Sequence, residues 1–250
     1  MSTQKTEALV IRQADFSETS KVVTFFTREF GKSSTVAKGA RRLKGPFEAA
    51  IDLLSVCRIV FIRKSSGSLD ILTEAQLASR FRPAGRSLLC LYGGYYIAEL
   101  LCDLTEEYDP HPTLFDEAVK TLQLLAQGTQ ADRGIIRFEL IVLREIGQLP
   151  AFDVCMACGN PIVNSGKYGF WVSQSGVICP GCRKEKYAQN LIHPGTIHLL
   201  RALSEADENS ERLEISSGQI KEMRQVTTSA VSHVLGHRPK MFRYLNLDGG

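Results

Sequence analysis

The sequence predicts an α+β chain of several domains: a small N-terminal five-stranded β-barrel, then helices, with a four-cysteine module inserted among them. Three observations predict it. Hydrophobic spacing is short and strand-like up to Leu77 and helical from Pro83 onward. Four cysteines fall as Cys155-x-x-Cys158, then twenty residues, then Cys179-x-x-Cys182. Positive charge is crowded into the first third: residues 1–82 hold 14 Lys and Arg against 8 Asp and Glu, net +6, and the remainder holds 16 against 19, net −3.

The strands come first. Ala8-Leu9-Val10-Ile11 is a β-rich run. Val22 to Thr27 is a second, ended by a turn at Gly31, and Ser34 to Ala37 is a third. Ile51 to Ile62 is longer, and Ser65-Ser66-Gly67 reads as a hairpin turn into Leu69-Asp70-Ile71-Leu72. Five short strands without a long helix between them fit a five-stranded barrel of the oligonucleotide-binding (OB) type, over residues 1–82.

The period changes at Pro83-Ala84-Gly85. Leu88, Leu89, Tyr92, Tyr95, Tyr96, Leu100 and Leu101 recur at helical spacing. Gly93-Gly94 inside that helix is unfavourable by about 1 kcal/mol per glycine relative to alanine, so close packing against another element is expected there. Asp109-Pro110-His111-Pro112 breaks the chain. A second helix spans about 113–127, ended by Gly128, and a third spans 131–146, ended by Gly147 and Pro150. Helices are also expected near 194–203 and over 217–235, separated by an acidic turn from Glu205 to Glu211. Residues 83–152 and 190–250 then form one helical domain, with residues 153–189 as the inserted module.

Two thiolates separated by two residues can hold one ion from a single tight turn, and two such turns complete a tetrahedron. Four sulfurs in that shape select Zn²⁺, and with no position left for water the site is structural. Gly159 after the first pair and Pro180-Gly181 within the second suit tight turns. The competing possibility is two redox pairs or disulfides; neither pair is placed at the end of a strand opening a helix, as a thioredoxin-type pair would be. Tyr168, Phe170 and Trp171 lie between the pairs and are expected to cover a module too small to fold unaided. Base stacking is the alternative for Trp171.

Cys57, Cys90 and Cys102 lie in apolar stretches and read as core residues. An odd cysteine count without a framework points to a reducing cytoplasm. The start resembles neither a signal nor a transit peptide, and no run of about 18 apolar residues occurs, so no membrane span is expected.

Lys38, Arg41, Arg42 and Lys44 stand within seven residues that contain no acid, bounded by Gly39 and Gly45-Pro46. Arg12, Lys21, Arg28 and Lys32 precede them. A cationic loop on a small barrel can track a phosphate backbone; a solvated loop without a partner is the alternative. Enzyme signatures fail. Gly31-Lys32-Ser33 would end a Walker loop, but position 26 is Phe. No His-x-Glu or Cys-x-Glu precedes the cysteine pairs, so the zinc-deaminase set is absent. The five histidines show no ligand spacing.

Taken together, EALVIRQADFSETSKVVTFFTREFGKSSTVAKGARRLKGPF, LYGGYYIAELL, HPTLFDEAVKTLQLL, RFELIVLREIGQLP, the cysteine module and LGHRPKMFRYL resemble the RecO family of bacterial recombination mediators. The resemblance covers most of the chain in the family's order. It implies an OB barrel, a helical domain, a zinc module and no catalysis. It implies binding to single- and double-stranded DNA, strand annealing, and, with RecR, loading of the RecA recombinase on DNA coated by single-stranded DNA-binding protein (SSB). A cytoplasmic, nucleoid-associated location follows. Carried over by residue, the DNA face falls on Arg12, Lys21, Arg28, Lys32, Lys38, Arg41, Arg42 and Lys44. The helix containing Arg137, Phe138 and Leu140 would receive the acidic tail of SSB. Ser65–Asp70 and Ser204–Ser216 show no family pattern. Two rivals are a zinc-ribbon factor that binds RNA or acts in transcription, and a metal-dependent nuclease or deacylase; the latter needs an open metal position or a carboxylate cluster that the sequence does not display.

Overall fold

The computed structural model describes residues 2–42, 45, 47, 50–64, 69–85, 87–184, 190–205 and 213–245. Contacts divide the chain into two compact units, Met1–Ala131 with Met241–Gly250, and Asp132–Lys240.

The first unit begins with β1 (Ser2–Asp15), β2 (Lys21–Thr27), β3 (Gly31–Ala37), β4 (Ser55–Arg63) and β5 (Asp70–Arg80). They close into a barrel in the order β1-β2-β3-β5-β4. All pairs are antiparallel except β3 with β5. Closure depends on the length of β1: residues 2–9 pair with β4 and residues 8–15 with β2, so no strand edge is left open. This is the expected OB-type arrangement.

Three strand boundaries differ from the sequence reading. β1 and β5 extend well beyond their apolar stretches, because the added residues are largely exposed and carry no hydrophobic signal. The strand expected from Ile51 begins only at Ser55. Leu54 has φ +65°, which ends any extended run, and Ile51 instead plugs the barrel core with Phe47. The hairpin turn expected at Ser65-Ser66-Gly67 lies outside the described residues.

Ala8, Val10, Val23, Phe25, Cys57, Ile59 and Phe61 point into the barrel. Leu9 and Ile11, on the opposite face of β1, are also buried. They are covered from outside by α1 (Leu88–Leu104), which lies along β1. A strand buried on both faces reads as an unbroken apolar run, which is why Ala8–Ile11 does not alternate.

α1 is capped by Ser87, whose hydroxyl accepts from the Cys90 amide. α2 (Pro112–Gln127) starts on Pro112 and ends at Gly128 in the left-handed conformation. It packs on the barrel through Phe115, stacked on Phe26 with centroids 6.5 Å apart. Gly94 meets the expectation of close packing: a Cβ there would stand 2.7 Å from the Phe81 ring and 2.8 Å from Leu54. A short 3₁₀ turn, Met241–Tyr244, returns to α1. Tyr244 stacks on Tyr92 at 4.7 Å, and the Met241 amide donates to Glu99.

The second unit contains α3 (Ala131–Glu145) from Asp132 onward, the strands β6 (Tyr168–Trp171), β7 (Gly176–Ile178) and β8 (Leu191–Ile192), α4 (Pro194–Ser204) and α5 (Ser217–Leu235). α5 opens with a capping box between Ser216 and Gln219. α3 is buried from Gly134 through Leu143. Two of its acids are paired with α5: the Thr227 hydroxyl donates to the Glu139 carboxylate at 2.6 Å, and the Arg224 guanidinium donates to Asp132 at 2.7 Å. Contacts thus group α1 and α2 with the barrel, whereas the sequence reading joins 83–152 to 190–250. Most of the acidic turn expected from Glu205 lies outside the described residues.

Candidate metal centre and nucleic-acid interface

The cysteine module rests on the antiparallel sheet β7-β6-β8. Tyr168 and Phe170 are buried beneath it, and the Tyr168 hydroxyl accepts from the Val163 amide at 2.9 Å. Trp171 is half-buried at the end of β6. The first cysteine pair occupies a turn closed by the Gly159 amide donating to the Cys155 carbonyl at 2.8 Å, with Gly159 at φ +71°. The second pair follows β7 in a matching turn, where the Cys182 and Arg183 amides donate to the Cys179 carbonyl at 3.1 and 3.0 Å.

The four sulfurs converge, all lying within 4.8 Å of one another, with Cys158 and Cys179 at 3.9 Å. Thiolates about 2.3 Å from one tetrahedral ion stand roughly 3.8 Å apart, so the arrangement fits a single bound cation. Disulfides would need sulfurs near 2.05 Å, and all four cysteines are free. Burial would raise the Cys155 thiol, but amide hydrogen bonds around its sulfur, including the Cys179 N–H at 3.2 Å, bring it down to about 6. Hydrogen bonds with Cys179 and Cys158 push Cys182 up to about 12. Crowding thiols this closely opposes full ionisation, and a divalent cation at the centre removes that opposition. Cys57 and Cys102, by contrast, are pushed up to about 12 and about 11 mainly by burial, as unreactive core thiols are.

The predicted barrel cations fall into separate groups. Lys21 opens β2 opposite Ala37, the last residue of β3. Lys38, Arg41 and Arg42 follow in the exposed loop leaving β3, at the same end of the barrel. Lys44 lies outside the described residues. Arg28 and Lys32 flank the β2–β3 turn at the other end. Six residues of β2 separate the ends, about 20 Å of strand. Arg12 stands exposed on β1 between them, paired across the ladder with Thr24.

Partners sort these side chains further. Arg28 forms a two-pronged pair with Asp116 on α2, both contacts at 2.9 Å. Lys32 is half-buried and donates to the carbonyls of Cys102 and Thr105, at the C-terminus of α1, where a cation complements unpaired carbonyls. Lys21 bonds Gln13 at 2.9 Å. Arg41 bonds the Ser17 carbonyl and faces Asp15 at 3.4 Å. Lys38 and Arg42 have no polar side-chain partner among the described residues, so they are the loop cations left to meet an external anion.

The expected tail pocket on α3 does not open on the predicted side chains. Phe138 is 0% exposed and Leu140 1%. Arg137 is 8% exposed, with its guanidinium donating to the carbonyls of Leu203 and Glu205 at 3.3 and 3.1 Å. α3 is a central helix, buried from Gly134 through Leu143, and its arginine satisfies carbonyls at the exit of α4.

One exposed side chain near the loop cations escaped the sequence reading: Phe16, in the β1–β2 turn, at 59% exposure. Its signal is an aromatic residue inside an otherwise polar hairpin loop, Asp15 to Ser20.

Comparison with known proteins covers nearly the whole chain. Residues 1–81 match the family model described as Recombination protein O N terminal, and residues 86–241 match Recombination protein O C terminal. The chain is 45% identical over 177 residues to the DNA repair protein RecO of Rhodopirellula baltica, covering 70% of this chain and 66% of that relative. It is 31% identical over 252 residues to the protein of the same description from Anaeromyxobacter dehalogenans, covering 100% of this chain and 98% of the relative. With that of Syntrophus aciditrophicus it shares 29% identity over 98% of this chain and 96% of the relative.

Proposed function

The chain belongs to the RecO family of DNA repair proteins, and from this premise we propose that it is a non-enzymatic recombination mediator that binds single- and double-stranded DNA and anneals complementary strands. With RecR it promotes RecA loading on SSB-coated DNA, in the cytoplasm and at the nucleoid. The observation that carries the reading is the closed five-strand barrel with Lys38 and Arg42 on one exposed loop, without a side-chain partner among the described residues. A surface of this kind neutralises phosphates without reading sequence. Two strands held on one cationic surface repel each other less, and mobile phosphate contacts let pairing registers be searched.

The sequence divides by task, across both compact units. Residues 1–82 bind DNA; the helices of 83–152 and 190–250 engage protein partners, including the acidic SSB tail; 153–189 are a zinc module. Zn²⁺ is the ion assigned to Cys155, Cys158, Cys179 and Cys182, because four converging thiolates with no open position match its structural sites. Within the DNA face, Lys38 and Arg42, with Arg12 and Lys21, take the phosphates, while Arg28, Lys32 and Arg41 hold the barrel and its loops in place. Because Phe138 and Leu140 are core residues, the SSB tail meets another surface of the helical part, and Arg137 supports that part from within.

The test is annealing of complementary oligonucleotides coated with SSB, with and without the protein. Faster duplex formation in its presence is the expected result. Annealing at the uncatalysed rate, or turnover of labelled DNA with divalent metal by stringently purified protein, would overturn the reading.

A further inference from the structure

Resting on the DNA-binding reading above, we infer that Phe16 is a base-stacking residue, and that it makes the cationic end of the barrel prefer unpaired over paired DNA.

Three observations carry this. First, Phe16 is the most exposed large apolar side chain among the described residues, at 59%. An isolated phenyl ring in water gains from any flat apolar partner, and every nucleobase offers one. Second, the turn holding it is cross-linked by hydrogen bonds. The amides of Phe16 and Ser17 donate to the Ser20 carbonyl at 3.0 and 3.2 Å, and the Ser20 amide donates to the Ser17 hydroxyl at 3.2 Å. Asp15 and Lys21 close the hairpin as a cross-strand pair. A ring displayed on an ordered turn loses little freedom when a base covers it.

Third, the turn is tied to the loop that carries the free cations. The Arg41 amide donates to the Thr19 carbonyl at 3.1 Å, and the Arg41 guanidinium donates to the Ser17 carbonyl at 3.0 Å. The aromatic turn and the Lys38–Arg42 loop therefore form one surface. Phosphates on the loop would leave the following base within reach of the ring. Of the two acids on this turn, Asp15 is paired to Arg41 at 3.4 Å, and Glu18 is exposed, where water screens its charge.

Stacking requires a base that is not already stacked and paired. A ring on this surface therefore contributes to single-strand binding and nothing to an intact duplex, where only phosphates are presented. The chemical class of ligand is an unpaired nucleobase within a single strand, with no preference for its hydrogen-bonding edge.

The experiment compares the full-length wild type with Phe16→Ala, Phe16→Leu and Phe16→Tyr. Each is titrated at several salt concentrations with an oligothymidylate, an abasic strand of the same length, and a duplex. Phe16→Ala should weaken oligothymidylate binding by about 5- to 150-fold, the range of a single base–aromatic stack. Phe16→Leu should lose most of the same factor, and Phe16→Tyr should keep wild-type affinity. Abasic-strand and duplex binding should be unchanged, and so should the salt slope, because stacking releases no counterions. Wild-type affinity of Phe16→Ala for the oligothymidylate would overturn the inference while leaving the DNA reading intact. A loss shared by all three nucleic acids, or a changed salt slope, would equally overturn it, by showing that Phe16 only shapes the loop. A wild type that binds none of the three would overturn the DNA reading itself.

Discussion

The guanidinium of Arg41 donates to the carbonyl oxygen of Ser17 at 3.0 Å, so one cation of the exposed loop clasps the β1–β2 turn. Its charge faces Asp15, and its own backbone amide is bound by Thr19. A neutral loss of Arg41 therefore loosens two loops together and confounds any test of phosphate contact. Arg41→Ala should lower DNA affinity without lowering the salt slope by a full contact. Its effect on stability should stay below about 1 kcal/mol, since the pair is exposed. Salt titration together with urea unfolding checks both parts.

Lys32 closes the C-terminal end of α1 rather than facing a nucleic acid. Lys32→Met removes a charged donor from two carbonyls, those of half-buried Cys102 and of buried Thr105. The expected loss is about 1.5–3 kcal/mol of stability. The salt slope of the folded variant should match wild type. A stable variant with a reduced slope would return Lys32 to the DNA face.

Cys155→Ser should remove the bound metal and lower the melting temperature, with no catalytic defect to accompany it. Metal affinity of the wild type should rise with pH, because protons compete with the ion for sulfur. The sign follows from the thiols: Cys182, held high by hydrogen bonds with Cys179 and Cys158, must give up its proton on binding, whereas backbone amide donors hold Cys155 low and favour its thiolate. Calorimetry in buffers of different ionisation heat reads the protons released; fewer than four at pH 7 is the expected count. Metal analysis of the native protein finding no zinc would contradict the assignment.

Arg137→Ala leaves the carbonyls of Leu203 and Glu205 without their donor inside the second unit. The expected outcome is a loss of about 1–3 kcal/mol in unfolding free energy. Affinity for an acidic, apolar-ended tail peptide should change no more than the folded fraction does. A stable variant with specifically weakened peptide binding would restore Arg137 as a direct contact.

The sequence made the architecture readable wherever burial leaves a period. The five barrel strands, the five helices and the cysteine module occur in the order that hydrophobic spacing and turn residues indicate, with β1, β4 and β5 differing in their bounds. The extensions of β1 and β5 were hidden because Gln76, Ala78 and Ser79 and their like are exposed and carry no apolar signal. The four thiols could be read directly, since a metal centre imposes its spacing on the chain. The cations could not, because sequence displays charge but not its partner. Arg28 is spent on Asp116, 88 residues away, and Lys32 on carbonyls some 70 residues away, and nothing local announces either pairing. The same blindness made Arg137 on α3 look available to an acidic tail: Arg137 and Glu139 are buried against partners from α4 and α5.

The salt dependence of single-strand binding by Lys38→Ala with Arg42→Ala tests the central claim most directly. These two side chains are exposed and bound to nothing within the described protein, so their loss leaves the fold and the Arg41 clasp intact. If each meets one phosphate of a single strand, the slope of log affinity against log salt should fall by roughly 1.4, twice the 0.7 expected per contact. Affinity should fall alike for every sequence, annealing should fall with it, and Arg28→Ala run alongside should leave the slope unchanged. A double variant with the wild-type slope and normal annealing would contradict the account and return the loop to solvent.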